Sequence, residues 1–459
     1  MNKLFQPVDI APLVFFRVIF GILGFADMMG VWTYYHLYKG YFNPDNFQFK
    51  YMGFEWVPVL PEPFMSLFFL TAMTAAVFIV IGKNYRISTL VFAICFTWQF
   101  FLEKALYLNH GYLFTWICWI MIFLPANRQW SYDVVKKPEL KSDTIERWSL
   151  WILPFLMGVV YFYGGIAKIN SDWLNGNPLD IWLRNVKDMP LLGSVWSHKI
   201  TPYIMAWSGM LLDLTAAFFL LFKNTRKWIL GFILFFHLTN TLIFQIGIFP
   251  WLSICLSLLY FPPSDFRKWF SIIKNKIKKL EKVESWWERI SPSQAISDNN
   301  SKLIPPAYPK KAVLISLFLI LLVHLTLPLR HHFFKGNVAW TEEGHRYSWR
   351  MMLRSKRGYG DFKIKNTDTN EIIKIKESDY LTDRQREKLF THPDMIWQFA
   401  QHLKKTWQEK GEENIEIYAD IKVRLNGRNS QVYIDPETDL SKVDWHFFKT
   451  TEWVMPFLE

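Results

Sequence analysis

Nine apolar runs constrain this chain more than any other feature of its sequence. They occupy residues 12–32, 62–82, 87–104, 111–126, 148–168, 203–222, 228–246, 248–263 and 311–328. A bilayer core about 30 Å thick takes about 20 apolar residues of helix, and most of the runs approach that length. The run 248–263 is short and includes Pro250, which leaves the count at about 8–9. The pattern predicts a polytopic α-helical membrane protein.

The runs divide the chain into a membrane part and a soluble part. We predict a transmembrane helical domain over 1–263, a cytoplasmic Lys-rich linker over 264–310, a final transmembrane helix over 311–328 and a soluble domain over 329–459. Within the linker, a helix is expected around 272–290.

The soluble domain alternates apolar and polar residues in several short stretches, as half-buried strands do. Strands are predicted at 346–354, 361–376, 415–425 and 430–434, with a turn at 366–370 inside the second stretch and a helix at 395–408. The pair Asn426–Gly427 predicts a tight hairpin turn. The domain is therefore expected to be α+β and β-rich.

Basic side chains cluster in loops that belong on one side of the membrane. The formal net charge is +12, and Lys and Arg concentrate in loops 83–86, 127–147, 223–227 and 264–310. Such loops normally face the cytoplasm, which makes the N-terminus cytoplasmic and places the soluble domain outside. The charge is thus explained by the lipid bilayer, and no nucleic acid is expected as a partner. The three cysteines lie in apolar runs, where they predict neither a disulfide framework nor a metal site.

Lys168 is a charge in an unusual place, because it ends an apolar run on the outer side. A lysine at a helix end can simply extend its ammonium to the interface. Against that reading, the preceding Gly164–Gly165 pair thins the helix and leaves room for another helix or a flat ligand. A lysine in an apolar pocket loses proton affinity, which would make it a base near neutral pH.

Two further polar groups belong to the same outer side. Asn109 and His110 fill a very short outer turn, where they either cap two helices or orient a substrate oxygen. His331 and His332, together with His345, match no standard zinc spacing, so no metal is expected there.

Six ordered blocks of the chain resemble the vitamin K-dependent γ-glutamyl carboxylases. The blocks are Phe16–Gly21, Tyr107–Tyr112, Val160–Trp173, Phe236–Phe249, Tyr347–Met352 and the pair Tyr418–Asp420 with Ile434–Pro436. The third block is similar to the segment that bears the family's catalytic lysine, and the second to its Asn-His turn. The resemblance extends along nearly the whole chain.

The resemblance implies a reaction and a set of site residues. Lys168 would deprotonate reduced vitamin K, and the quinol would react with O₂ to give a base that removes a γ-proton from a glutamate, so that CO₂ adds. His110 and Asn109 would hold the quinone oxygens. The implied quinone-binding residues are Trp349, Met351, Met352, Tyr163 and Gly164; the implied glutamate-binding residues are Arg354, Lys356, Tyr347, His345 and Arg428. No metal is implied.

The chain departs from the animal enzymes of that family at several positions. Arg350 replaces an acidic residue, His345 replaces a tyrosine, and Arg354 and Lys356 replace a histidine and an arginine. The compact form is typical of a bacterial inner-membrane protein with a periplasmic soluble domain, for which the quinol could be menaquinol. The expected partner is a glutamate-containing protein or peptide. Two alternatives stay open: a quinol epoxidase without a defined protein substrate, and a non-enzymatic quinone-binding scaffold.

Overall fold

The computed structural model describes residues 2–37, 42, 46–190, 192–244, 246–277 and 308–458. Ten helices of ten or more residues form the membrane part and its flanks: α1 Ala11–Leu37, α2 Phe64–Ile81, α3 Tyr85–Leu102, α4 Asn109–Phe123, α5 Arg147–Ala167, α6 Thr201–Leu221, α7 Arg226–Ile243, α8 Phe249–Leu258, α9 Pro263–Ile277 and α10 Lys310–Thr326. Short helices lie between them at Tyr132–Lys136, Ser171–Leu174, Leu179–Leu183 and Gly193–Trp196.

Every predicted apolar run coincides with one of these helices, which confirms a polytopic membrane protein. Within the described residues, six helices are long and apolar enough to cross a membrane: α1, α2, α3, α5, α6 and the stretch Lys310–Phe333 that includes α10. The helices α4 and α8 are shorter than the predicted runs. The helix predicted around 272–290 is seen up to Ile277, and the rest of that prediction lies outside the described residues.

The ends of the first helices are joined by one buried arginine. The guanidinium of Arg17, in the second turn of α1, donates to the backbone oxygens of Ala126 at 2.8 Å and Gln129 at 3.0 Å. It also donates to Val80 at the end of α2, at 3.3 Å. These carbonyl groups lie at helix ends and in turns, where no backbone N–H of the same helix is available to bind them. The two terminal nitrogens of Arg17 are thus bound by backbone oxygens rather than by a carboxylate.

The soluble domain packs two helices against one antiparallel sheet. The sheet has the order β4-β3-β5-β6, where β3 is Lys356–Asn366, β4 Ile372–Ile375, β5 Ile415–Leu425 and β6 Gln431–Val432. A small two-stranded sheet, β1 Pro7–Asp9 with β2 Thr144–Glu146, lies in the membrane part. The helices of the soluble domain are α11 Asp383–Leu389 and α12 Pro393–Gln408, with a short helix at Val338–Thr341.

The alternation of β5 explains how this core forms. Along the whole strand, buried residues alternate with half-buried or exposed ones, so that one face meets α12 and the other is open to solvent. Asn426 and Gly427 both have positive φ, 48° and 80°, as a tight turn between antiparallel strands requires. The predicted hairpins at 361–376 and after 415–425 are confirmed, although β6 is shorter than 430–434.

One predicted strand is wrong. Residues 346–354 contain no strand, and the segment from 342 to 352 instead holds four non-glycine residues with left-handed backbone: Glu342, Tyr347, Trp349 and Met352. A strand cannot contain these residues, because a positive φ breaks the pleat. Apolar and polar residues alternate here for another reason: the segment lies between the two parts of the protein.

A buried ion-pair network holds the soluble domain on the membrane part. Lys104 follows α3, and its ammonium lies 2.6 Å from the carboxylate of Asp394 at the start of α12. Arg346 binds the same carboxylate at 2.7 Å. Burial alone would raise the pKa of Asp394, but Arg346 and Lys104 hold it well below its usual value. The two parts are therefore joined by charges that have little access to water.

Candidate functional site

A cavity of about 340 Å³ lies between the membrane helices and the soluble domain. Lys168, Asp213 and His237 line it from the membrane side, and the segment after Glu342 lines it from the other. Ligand pockets usually measure roughly 300–1,000 Å³, so the cavity suits a small ring system or a side chain. Its walls combine aromatic rings with several ionisable groups, a composition that favours chemistry over simple packing.

Lys168 is a cation in the membrane wall of the cavity. It follows α5 directly, where the carbonyl end of the helix favours a positive charge. Its ammonium donates to Asp213 Oδ2 at 2.5 Å and to the oxygen of Gly164 at 3.4 Å, and the residue is only 5% exposed. It also lies 5.4 Å from the ring centre of Trp173. Lys168 is therefore a buried, paired lysine and does not extend to the interface.

The glycine pair before Lys168 makes this arrangement possible. A Cβ on Gly164 would lie 3.3 Å from Asp213 Oδ2, and a Cβ on Gly165 would lie 2.6 Å from the backbone nitrogen of Leu214. The second distance is shorter than any real Cβ contact, so α5 and α6 can approach this closely only because of Gly165. The room left by the glycines is thus taken by helix α6 and its carboxylate.

A chain of polar groups continues from the same wall. The hydroxyl of Tyr161 lies 3.0 Å from His237 Nε2 and 3.3 Å from the hydroxyl of Ser257. His237 is 1% exposed, and its other nitrogen, Nδ1, has no hydrogen-bond partner among the described residues. Buried polar atoms are nearly always paired in proteins. An unpaired imidazole nitrogen beside a cavity therefore points to a ligand.

Asn109 and His110 begin α4 and line the same cavity. The amide oxygen of Asn109 accepts from the hydroxyl of Tyr107 at 3.0 Å, which in turn accepts from the backbone nitrogen of Tyr347 at 2.8 Å. The imidazole of His110 stacks on the ring of Phe249, with centroids 5.7 Å apart. No side-chain partner within the described residues occupies the Asn109 amide nitrogen, so it stays available as a donor.

The soluble domain contributes the strained segment between Glu342 and Met352. Met351 and Met352 line the cavity, and the Met351 methyl group lies 3.7 Å from where a Cβ of Gly164 would be. Trp349 is 1% exposed and packs behind them against the membrane core. Left-handed conformations in non-glycine residues are costly and cluster where geometry serves a ligand.

The carboxylate of Glu342 gathers three of the predicted site residues. Arg354 donates to Glu342 Oε1 at 2.5 Å and also to Oε2. Lys356 lies 3.4 Å from Oε1, and His345 Nδ1 lies 3.3 Å from Oε2. Burial opposes ionisation of Glu342, but Arg354 and Lys356 hold its pKa below the usual value. The cations expected to bind a glutamate already hold an internal one.

Lys356 is the most enclosed of these cations. Its ammonium donates to the oxygen of Thr391 at 2.8 Å, to the hydroxyl of Tyr433 at 2.9 Å and to the oxygen of Trp340. Burial lowers the pKa of Lys356 to about 7, despite the neighbouring Glu342. With every donor used, Lys356 supports the wall of the cavity instead of reaching into it.

Glu342, His345 and His392 are also close enough to one another to hold a metal, since their ligand atoms lie within 4.8 Å. Burial lowers the pKa values of both imidazoles well below normal. However, the carboxylate oxygens already accept from Arg354 and Lys356, and a further cation would be repelled there. The absence of a metal stays a prediction.

Several predicted residues lie away from the cavity. Tyr163 donates to the backbone oxygen of Leu325 in α10 at 2.6 Å. Tyr347 packs on Tyr112 and lines a second cavity of about 620 Å³. Arg428 binds the carboxylate of Asp172 at 2.6 Å. Gly164, Trp349, Tyr163, Tyr347 and Arg428 are not among the residues that line the first cavity.

Sequence reasoning missed Asp213 and His237. Both are polar residues inside predicted apolar runs, and ionisable groups within membrane spans usually face a cavity or a partner. That signal was present in the sequence. What it did not contain was the identity of the partner, because Lys168 and Asp213 are far apart along the chain.

Two family models match the chain. Residues 5–265 match the HTTM domain, and residues 309–459 match the Vitamin K-dependent gamma-carboxylase, lumenal domain. The chain belongs to the vitamin K-dependent γ-carboxylase family. No solved structure gives a significant match. The two matched regions of this γ-carboxylase family member supply the two walls of the cavity, so both halves of the family's architecture are present at the site.

The residues of the cavity fit a quinol. A hydroquinone ring needs apolar surface on its faces and polar partners for its oxygens. The apolar surface is provided by Met351, Met352 and Phe249. The polar partners are the amide of Asn109 and the Nδ1 of His237, which has no hydrogen-bond partner among the described residues.

Proposed function

We propose that this protein carboxylates glutamate side chains to γ-carboxyglutamate, coupled to the oxidation of vitamin K hydroquinone, or menaquinol, to its epoxide by O₂. The observation that carries the proposal is the buried Lys168–Asp213 pair in a cavity shared by both matched regions. A carboxy-lyase of this kind needs a base shielded from water, with an apolar face for the quinol and access for a glutamate. The bound quinol supplies the strong base when it is oxidised.

Lys168 acts first in this proposal. The Lys168 ammonium first passes a proton to Asp213 Oδ2, 2.5 Å away, and the resulting neutral amine then takes a hydroxyl proton of the quinol. Because both residues are about 5% exposed, the attraction between the ammonium that forms and the negative charge left by the proton is stronger than it would be in water. Asp213 is thus a positioning residue for Lys168.

Asn109, His110 and His237 orient the quinol oxygens. The amide of Asn109 is fixed through Tyr107, and His110 is fixed by its stacking on Phe249. Groups held in this way need no reorganisation when charge develops, which is the main source of electrostatic catalysis. Under the proposal the glutamate arrives from the soluble domain, on the side of the periplasm if the protein lies in a bacterial inner membrane.

A second candidate function is quinol epoxidation without carboxylation of a defined protein. It is favoured by the internal pairing of Arg354 and Lys356 with Glu342 and of Arg428 with Asp172, which occupies the cations expected to bind glutamate. In that case the same Lys168 chemistry would end at the epoxide. A non-enzymatic quinone-binding scaffold is the third reading.

One assay separates the three. The purified protein in nanodiscs receives reduced vitamin K, O₂, labelled bicarbonate and a short glutamate peptide. We expect both epoxide and labelled peptide from the wild type, and neither from Lys168→Ala. Epoxide without label would favour the second function, and the absence of both would favour the scaffold. Full activity of Lys168→Ala would refute the role assigned to that lysine. Lys223→Ala, a loop lysine far from the cavity, serves as the control.

A further inference from the structure

The second cavity, of about 620 Å³, lies between α3, α4, the end of α10 and the soluble domain. The membrane half of its wall is apolar and mainly aromatic, with side chains such as Phe101, Trp116 and Val323. Trp119 belongs to the same wall and is 37% exposed on the outside of the helix bundle. The cavity therefore reaches the surface that faces lipid, and its size suits part of a lipid molecule.

Helix α10 leaves room for such a molecule because it packs loosely against the other helices. Within α10, all of which the structure describes, only Val313 and His324 are buried. The imidazole of His324 packs against the rings of Tyr112 and Trp116 in α4, at centroid distances of 6.4 and 4.8 Å. The other apolar residues of α10 are half-buried or exposed, so acyl chains cover them in a membrane.

The polar end of this cavity contains an arginine that no carboxylate neutralises. Arg330 follows α10 at the end that meets the soluble domain, and it is only 7% exposed. The Cζ atom of its guanidinium lies 3.9 Å from the ring centre of Phe447, and Nη1 donates to the backbone oxygen of Phe447 at 3.2 Å. Within the described part of the chain Arg330 forms no ion pair, and its Nε has no hydrogen-bond partner. A buried cation of this kind is costly unless an anion joins it.

The same wall contains a carboxylate that no cation neutralises. Glu343 is 3% exposed, and its Oε1 accepts from the backbone nitrogen of Thr451 at 2.7 Å. Its Oε2 has no hydrogen-bond partner, and the side chain forms no ion pair with any residue that the structure describes. Burial raises the pKa of Glu343, and the hydrogen bond from Thr451 opposes this only in part. The ionised carboxylate therefore lacks a cation.

Arg330 and Glu343 belong to segments that pack directly on each other. A Cβ on Gly344 would lie 2.6 Å from the Cα of His331, so the backbone just after Glu343 touches the backbone just after Arg330. Both side chains line the cavity, yet they do not pair with each other. The other arginine, lysine and carboxylate side chains of this wall balance one another: Asp394 is shared by Lys104 and Arg346, and Glu342 by Arg354 and Lys356.

We propose that this cavity binds a phospholipid whose headgroup carries both a phosphate and a primary ammonium, as that of phosphatidylethanolamine does. Arg330 binds the phosphate, because a guanidinium offers parallel donors to phosphate oxygens. Glu343 Oε2 accepts from the ammonium, and so does the amide oxygen of Gln398, which also lines the cavity without a hydrogen-bond partner. The acyl chains lie against α4 and α10 and extend from there into the bilayer.

A headgroup with both charges fits this wall better than other common headgroups. A purely anionic headgroup would satisfy Arg330 but would leave the Glu343 carboxylate unpaired beside a phosphate. A choline headgroup carries a positive charge, but its trimethylammonium has no N–H to donate to the carboxylate. The inference does not depend on the proposed carboxylation, because neither Arg330 nor Glu343 lines the cavity that contains Lys168.

Lipid binding tests the proposal without any turnover. The full chain in detergent micelles is mixed with equal amounts of phosphatidylethanolamine, phosphatidylcholine and phosphatidylglycerol that have the same acyl chains, and bound lipid is measured by native mass spectrometry. We expect phosphatidylethanolamine to bind about tenfold more tightly than the other two, the size of one charged hydrogen-bond contact. Glycerophosphoethanolamine, which has the same headgroup without acyl chains, should not displace it at an equal concentration.

Two variants test the two charges separately. Glu343→Gln keeps the side-chain shape and the acceptor for Thr451, so it should remove the preference for phosphatidylethanolamine without weakening the binding of phosphatidylglycerol. Arg330→Gln should weaken the binding of all three lipids by about tenfold, because all three carry the phosphate. Glu437→Gln and Arg357→Gln make the same two changes at exposed positions of the soluble domain and should alter neither the preference nor the affinities.

Several outcomes would overturn the lipid site. Equal binding of the three lipids by the wild type would do so, and so would tighter binding of phosphatidylglycerol, which would indicate a site for negative charge alone. An unchanged preference in Glu343→Gln would exclude the contact with the ammonium. Displacement by glycerophosphoethanolamine at an equal concentration would make the ligand a soluble aminoalkyl phosphate instead of a lipid. If Arg330→Gln fails to fold, the wild-type preference and Glu343→Gln still decide the proposal.

Discussion

The Lys168–Asp213 pair should contribute more to stability than any exposed ion pair of this chain, because water cannot solvate either charge when its partner is removed. At a distance of 2.5 Å the Coulomb attraction is about 7 kcal/mol for an effective dielectric constant of 20. Much of this offsets the cost of burying both charges. Removing one partner leaves the other buried and unpaired, so that Asp213→Asn and Lys168→Met should each cost about 3–5 kcal/mol.

A double-mutant cycle measures the pair itself. The double variant buries no charge, so its cost should be smaller than the sum of the single costs by about 3 kcal/mol. Unfolding of the purified protein in nanodiscs is followed by tryptophan fluorescence in denaturant. Asp180→Asn serves as the matched control, because Asp180 and its partner Arg184 are largely exposed and should cost less than about 1 kcal/mol. Additive single costs, or an Asp213→Asn cost no larger than that of Asp180→Asn, would refute the buried pair.

Three further predictions concern the contacts around the site. Gly165→Ala should lower the thermal unfolding midpoint and impair epoxide formation, because its Cβ would meet Leu214 at 2.6 Å; Gly231→Ala, with open space around it, should do neither. Asp394→Asn leaves two buried cations and should cost about 3–5 kcal/mol in denaturant unfolding, so an effect below about 1 kcal/mol would contradict the docking contact. The pKa of Asp394 is lower in the folded chain than in the unfolded one, so its contribution is complete above about pH 4 and disappears as the pH falls further. The difference in midpoint between wild type and Asp394→Asn should therefore shrink from pH 6 to pH 3, and a constant difference would contradict this sign.

The sequence predicted the membrane helices well, because bilayer thickness imposes a length and a composition that local residues reveal. It also predicted the hairpin after β5, since Asn426–Gly427 has a turn chemistry of its own. The sequence-based prediction was wrong at 346–354, where the alternation of apolar and polar residues was interpreted as a strand. The left-handed residues there are imposed by contacts with both halves of the protein, which no local pattern records.

The site was predicted only in part, because local sequence patterns do not show which distant residues come into contact. Lys168, Asn109 and His110 lie together in the cavity, and the resemblance to the family identified them. The glutamate-binding residues are different, because Arg354 and Lys356 are paired with Glu342, a residue that sequence reasoning did not consider. A cation's availability depends on what lies next to it in space.

The division of the cavity between two regions has a consequence for biogenesis. Lys168 and Asp213 are translated before the segment around Met351, and the Lys104–Asp394 contact forms only after α12 has been made. Under the proposed function, a partly made chain therefore carries its base but no closed chamber in which to use it. The soluble domain, which is made after the helices that bear Lys168 and Asp213, completes the site. Under the proposed function, activity therefore requires that the soluble domain has folded and docked onto the membrane helices.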